Sequence, residues 1–397
     1  MTAPPQPVPR DLSWIKQALQ TAIELECSTL PLYLSAMFSL QVQNYNAYNQ
    51  LRSIVMEEMV HMAIAANLLA AIGGTPQIKA FNVPFPTEGL PGGAEPDLKV
   101  GLAKFSRKQL KNFMRIETPE FLLRKMKRRE TYPTISVFYN GIRQAILDNA
   151  DAVRAAVKAG GTSNQVYDDI GLVQITYVES NDPVQAMLAG IKEILEQGEG
   201  ASARSLVTLK DFELEQSHYA RFAELHYGAT YEEPKPAIDL TPETEHLFFK
   251  GQAVGWPVVI NTLAVPSDGY AKIVALDPNA AAVTKDLMAF DAAFTATLTA
   301  LDGAWNGPAA ASWKTVGLSV RGIGGNPPGM IDFRVLAREN ITRHQVPAEI
   351  VSQLPALYPA EFEFLKTYTD LDQPVFYGPR FINVPAPVPA PVPAPAA

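Results

Sequence analysis

The chain holds 397 residues, enough for about two domains or one large one at roughly 100–200 residues per domain. Hydrophobic residues make up 47% and charged residues 19%, which excludes global disorder. The net charge of −8 argues against a sequence-independent nucleic-acid binder, and the single cysteine, Cys27, excludes an internal disulfide or a Cys-based zinc site.

Residues 1–10 are Pro-rich and lack the basic-then-apolar pattern of a signal peptide. No uninterrupted apolar run approaches the ~20 residues that span a bilayer. A cytoplasmic protein without a membrane partner is the expectation. A first helix opens after Asp11, a capping residue, and runs to about Val42, with Pro31 as a kink. A second runs from about Ala47 to Ile72 and stops at Gly73-Gly74. The next connection carries Pro84-Phe85-Pro86 and Leu90-Pro91-Gly92-Gly93, a length that usually serves function. The basic run Arg124–Arg129 has no interleaved aromatics and reads as a solvated helix face. A third helix is expected over Thr134–Lys158 and a fourth over Thr208–Tyr227, ending at Gly228.

Glu232-Glu233-Pro234-Lys235-Pro236 then reads as a linker. Beyond it, Val283, Leu287, Phe290, Phe294, Leu298, Leu301 and Trp305 form one helical stripe. Gly322-Ile323-Gly324-Gly325 lacks a flanking strand and helix and reads as a loop. From Val384 the chain repeats proline, alanine and valine, a semi-rigid extended tail. The expected organisation is an unstructured start (1–10), a four-helix unit (11–228), a mainly helical region packed on it (229–383) and the tail (384–397).

Two segments carry the chemistry. Glu58-Met59-Val60-His61 and Glu215-Gln216-Ser217-His218 both read Glu-x-x-His, a spacing that puts carboxylate and imidazole on one helical face. Two such helices, joined by a Glu from each of two others, build the two-metal carboxylate site of a four-helix bundle. Leu51, Ile54, Val55, Met62 and Leu68 share the face of Glu58 and His61. Carboxylates among such neighbours are costly unless paired or metal-bound. On the first helix Glu26 lies with Ile15, Leu19, Ala22, Leu30 and Tyr33, whereas Glu24 lies with polar residues, so Glu26 is the inward acid. Glu57 neighbours Gln50 and Ser53 and takes an outer or surface role. The third helix offers no acid, which leaves one metal, or two if Glu130, Asp211 or Glu199 joins. His226, His246 and His344 have no partner pattern. Tyr33, Phe138, Tyr139 and Tyr219 line a cavity or belong to ordinary core.

At these residues the chain resembles the ferritin-like proteins related to iminophenyl-pyruvate dimer synthase. The similar stretches are Ala22–Glu26 through Pro31–Leu34, Glu57–His61, Gly73–Pro76, Leu90–Gly93 and Ile116–Glu120. They continue with Thr134-Ile135, Phe138-Tyr139, Gln197–Gly200, Ser217–Tyr219, Arg221-Phe222, Asn306-Gly307 and Gly378–Phe381. The resemblance implies a mainly α, ferritin-like four-helix bundle with long connections and a C-terminal helical extension. It implies metal ligands at Glu26, Glu58, His61, Glu215 and His218, and oxidative coupling of imines from aromatic 2-oxo acids as the family's chemistry. The family's usual third-helix Glu falls at Val137, which cannot coordinate. Ligands without thiolate suit iron or manganese, with zinc an alternative. The expectation is an oxidative metalloenzyme of secondary metabolism acting on a small molecule, or a scaffold with a structural metal. The apolar fraction permits a homo-oligomer.

Overall fold

The computed structural model describes residues 9–41, 45–119, 122, 134–161, 164–168, 175–179, 181–199, 207–210, 213–307, 312–321 and 330–384. The basic run 124–129, the glycine loop 322–325, nearly all of the proline-rich start and the tail beyond Val384 lie outside them.

Helix α1 (Leu12–Phe38) starts where Asp11 accepts a hydrogen bond from Trp14 N, and it continues through Pro31. Helix α2 (Tyr45–Ala71) ends as expected: Gly73, with φ of +73°, lets its N–H reach Ala70 O while Gly74 N–H reaches Leu69 O. A side chain at Gly73 would be strained in that left-handed conformation. Helix α3 (Arg107–Ile116) is capped by Ser106 and buries Leu110, Phe113, Met114 and Ile116. The third expected helix appears as α4 (Ile135–Asp148) and α5 (Ala150–Ala156), and the chain then leaves the helix through a loose turn at Val157–Gly161.

The fourth expected helix is a correction. Residues Val207–Lys210 and Glu213–Gln216 are two short antiparallel strands, β1 and β2, with Thr208 opposite Glu215. Val207 and Leu209 alternate with polar residues, which is strand periodicity. Ser217 then caps α7 (His218–Tyr227), accepting from Ala220 N, so the helix begins only at His218. A helix that the sequence reading did not name, α6 (Pro183–Glu199), precedes these strands. Its start has Asp182 accepting from Gln185 N and proline as the first helical residue. Helix α2 touches α1 and α6, and α4 touches α6 and α1, so the four close a ring; α7 packs against α3 and also touches α6 and α2.

Helix α2 is long and apolar enough to cross a membrane by composition, but 83% of its most apolar window is buried inside the protein, as in a bundle core helix. The long helix past the linker, α8 (Ala280–Asn306), buries Val283, Leu287, Phe290, Phe294, Leu298 and Trp305 along the expected stripe. Trp305 Nε1 donates to Asn67 Oδ1 (2.8 Å), and Asn67 Nδ2 donates to Val166 O and Thr176 O, so a fully buried amide ties α2, α8 and the intervening loop together. Near the chain's end Arg380 Nε donates to buried Asp291 on α8 (2.7 Å), and Phe381 packs against Phe290 and Phe294.

Candidate metal centre

Five ionisable side chains from four separate segments meet inside the bundle. Glu26 comes from α1, Glu58 and His61 from α2, Glu117 from the residue that ends α3, and His218 from the first position of α7. Each is at most 6% exposed. Glu58 is central: its oxygens lie 2.8 Å from His218 Nδ1 and 3.9 Å from His61 Nδ1. Glu26 flanks His61 (3.9 Å), and Glu117 flanks His218 (3.7 Å). The imidazole rings stack with centroids 5.3 Å apart. Ligand atoms of Glu58, His61 and His218 fall within 4.8 Å of one another.

The sequence places these groups for stated reasons. The i, i+3 spacing on α2 aims Glu58 and His61 the same way. His218 and Glu117 arrive through packing: the rings of Tyr33, Phe113 and Phe222 contact one another at 4.6, 4.9 and 5.1 Å, clamping α1, α3 and α7 together. Tyr33 then donates to Glu117 Oε1 (2.5 Å), and Tyr139 of α4 donates to Glu26 Oε1. Gly198 of α6 keeps the wall open beside Glu117, since a Cβ there would stand 3.2 Å from Oε2.

Both histidines are oriented by their outer nitrogens. His218 Nε2 donates to Glu57 Oε2 (3.0 Å), and Arg221 holds both oxygens of Glu57. His61 Nε2 donates to Gln197 Oε1 (2.8 Å), whose amide donates in turn to Glu193. A proton fixed on Nε2 leaves the Nδ1 lone pair facing inward. His218 Nδ1 is wholly buried and makes no hydrogen bond among the described residues, although Glu58 Oε1 stands 2.8 Å away. A buried polar nitrogen without a hydrogen bond, beside carboxylates, fits a ligand atom. The donor set of two imidazoles and three carboxylates suits iron, manganese or zinc.

Electrostatics shows the strain of crowding these groups. Burial, with the Glu58 charge, pushes the carboxyls of Glu26 and Glu117 above their usual range. Burial also opposes ionisation of Glu58, but the neighbouring His218 charge holds it down at about 2. Burial lowers the pKa of His61. Burial would do the same to His218, but the charge of Glu58 and its contacts with Glu117 and Glu57 raise it well above the ordinary value. The cavity among Glu26, Glu58, His61, Glu117, Ile135 and Gly198 has a volume of about 20 Å³, room for a water-sized particle.

Several sequence expectations change here. Glu215 sits on β2 and not on a helix, so its spacing from His218 does not put the two on one helical face. Its side chain, Glu130, Asp211 and the side chain of Glu199 lie outside the described residues. Val137 is 46% exposed in the first turn of α4, so that position faces away from the centre. Of the two roles open to Glu57, the contacts give the outer one, since it holds His218 Nε2 and Arg221. Glu117 is the carboxylate that residue-by-residue reading passed over; its signal was an acid at the end of the apolar face of α3. Glu24 is only half-buried, beside Gln20, while Glu26 is buried. Tyr219 is turned toward Glu245 instead of the centre. His226 and His344 bind Arg107 O and Asp286.

Fold and site together define a helical bundle with a carboxylate–histidine centre, and the ferritin-like family model matches residues 19–227. The chain belongs to the ferritin-like family. A curated relative, 2-imino-3-(indol-3-yl)propanoate dimerase of Chromobacterium violaceum, is 29% identical over 195 residues, which are 47% of this chain and 18% of that protein. The chain thus spans about a fifth of that relative's length. A crystal structure of a ferritin-like protein from Caulobacter vibrioides superposes with a TM-score of 0.53 at 20% identity, covering 84% of this chain and 96% of that one, and shows the shared fold. These matches bear out the fold class and the resemblance read from the motifs.

Proposed function

We propose that the chain is a metal-dependent oxidative enzyme acting on a small aromatic or imine-bearing molecule, with iron as the first choice of metal and manganese or zinc as alternatives. One observation carries the reading: Glu58 lies between two inward-facing histidines, each flanked by a further carboxylate. Two ions would find Glu26 and His61, and Glu117 and His218, as their nearest donors, with Glu58 within reach of both histidines. A redox-active pair of ions would supply electron transfer between dioxygen and the substrate.

The chain's own residues do the rest. Glu57 and Gln197 hold the outer protons of the two imidazoles, and Tyr33 and Tyr139 fix the carboxylates of Glu117 and Glu26. Ile135, Ile194 and Leu195 wall the cavity and keep bulk water away. The cavity is too small for an aromatic ring, so the substrate contacts its rim. The name of the Chromobacterium relative suggests an aromatic imino acid as substrate class.

The same small cavity favours a second reading, a structural metal in a non-catalytic scaffold. Metal per chain by plasma mass spectrometry, followed by oxygen consumption of the iron-loaded protein with 2-imino-3-(indol-3-yl)propanoate, separates the two. Two ions and substrate-dependent oxygen uptake are expected. Bound metal without uptake for any aromatic imine leaves the scaffold, and no metal after anaerobic iron loading removes both.

A further inference from the structure

A second cleft opens near the far end of α1. From Glu26 to Phe38, at 1.5 Å per residue, is about 18 Å along the helix. The cleft has a volume of about 990 Å³, at the upper end of the roughly 300–1,000 Å³ typical of small-molecule sites. It is built from Gln41 and Lys104 on the bundle side, and from segments 259–261, 334–343 and 370–376 of the C-terminal region.

Its lining combines two chemistries. Lys104, Arg334, Arg338 and Arg343 outnumber the acids Glu339 and Asp370, a local excess of positive charge in a chain of net charge −8. Val259, Ile260, Pro374 and Phe376 add apolar surface. Two of the cations are held in place. Arg338 Nη2 donates to Gln41 O (2.5 Å), and its buried Nε has no hydrogen-bond partner among the described residues. Lys104 Nζ donates to Asn261 Oδ1 (2.5 Å), and the Asn261 amide is pinned by donating to Asp370 O and Pro374 O. Burial lowers the Lys104 ammonium's pKa, with Asp370 only partly offsetting it, so a nearby anion would be favourable.

We propose that this cleft binds a small organic carboxylate with an apolar body, the carboxylate on the arginines and the body against Ile260 and Phe376. The planar guanidinium fork matches a carboxylate in a bidentate way. The apolar lining selects an organic anion over an inorganic one, and Glu339 and Asp370 disfavour a polyanion. The site is separate from the metal centre and does not depend on what that centre does.

Isothermal titration of the full-length, metal-loaded protein with hydrocinnamate tests it, beside its neutral amide and inorganic phosphate. Hydrocinnamate is expected to bind, to weaken at high salt, and to bind at least about tenfold tighter than either control, a factor worth ~1.4 kcal/mol. Arg334→Gln with Arg343→Gln, both exposed, should weaken it at least about tenfold with the melting temperature unchanged. Should that pair fail to fold, Arg343→Gln alone replaces it, since that side chain is 71% exposed. His61→Ala should leave hydrocinnamate binding intact. No binding, binding undiminished in the arginine variant, phosphate binding as tightly, or loss of binding in His61→Ala would each overturn the proposal.

Discussion

Glu57→Gln asks whether the orientation of His218 is what prepares it for a metal. In the native site both Glu57 oxygens are committed: Oε1 accepts from Arg221 Nη1 (2.8 Å), and Oε2 accepts from Arg221 Nη2 and from His218 Nε2 (3.0 Å). Glutamine has one carbonyl and one amide. If the amide faces His218, two donors oppose each other and the imidazole proton is driven to Nδ1, the inward atom. If the amide faces Arg221, the guanidinium loses a charged acceptor in a position only 9% exposed. Loss of such an outer-sphere partner costs about 10–100-fold in metal affinity, or ~1.4–2.7 kcal/mol. Removing half of a fully buried ion pair costs ~3–5 kcal/mol of stability; because the Glu57 side chain is 19% exposed, we expect about 2 kcal/mol here. Metal retained against graded chelator, measured by plasma mass spectrometry, reads the first quantity, and urea unfolding reads the second. Unchanged metal affinity in a folded Glu57→Gln protein would refute the orienting role, whatever happened to stability.

Phe222→Ala should cost ~3–5 kcal/mol in urea unfolding, because its ring is fully buried between Tyr33 and Phe113. It should also lower metal content, since that trio carries Glu117 and His218 to the centre; a loss under ~1 kcal/mol would show that the clamp is not needed. Metal affinity should fall as pH falls. Burial and the charge of Glu58 raise the Glu26 and Glu117 carboxyls, so these bind protons more readily than free carboxylates and must release them to bind metal. Proton release during metal titration in weak buffer measures this, and uptake without release contradicts it. Val137→Glu restores the family's usual residue at an exposed position and should change stability by less than ~0.5 kcal/mol without adding metal. An extra ion per chain in that variant would show that α4 rotates to face the centre.

The long periodic elements were readable because one face of each meets the core along many turns. This holds for α1, α2 and α8, and the Asp11 cap and the Gly73-Gly74 stop also marked the start of α1 and the end of α2. The error over 208–227 has a local cause. Apolar residues at 209, 212 and 214 satisfy helical and strand spacing equally over so short a run, and only the cap at Ser217 marks where the helix begins. The matching Glu-x-x-His string then made Glu215 look like a helical ligand. Helix α6 was passed over although Val184, Met187, Ile191 and Ile194 repeat at helical spacing and are buried.

His218 and Glu117 show why the centre was only half legible. Glu58 and His61 meet because one helix carries both, a relation written in the spacing itself. Glu117 is 59 residues from Glu58, at the end of a short helix, and reaches the centre because Phe113 and Phe222 fold α3 and α7 against Tyr33. No periodicity encodes that contact. What the sequence does encode is the cost of the arrangement: a buried acid must find a proton, a cation or a metal. Glu117 finds the Tyr33 hydroxyl and lies near His218, Glu26 finds Tyr139, and Glu58 finds His218. Three carboxylates so close together, served by only two imidazoles, remain short of positive charge, and a bound cation is the simplest group that supplies it.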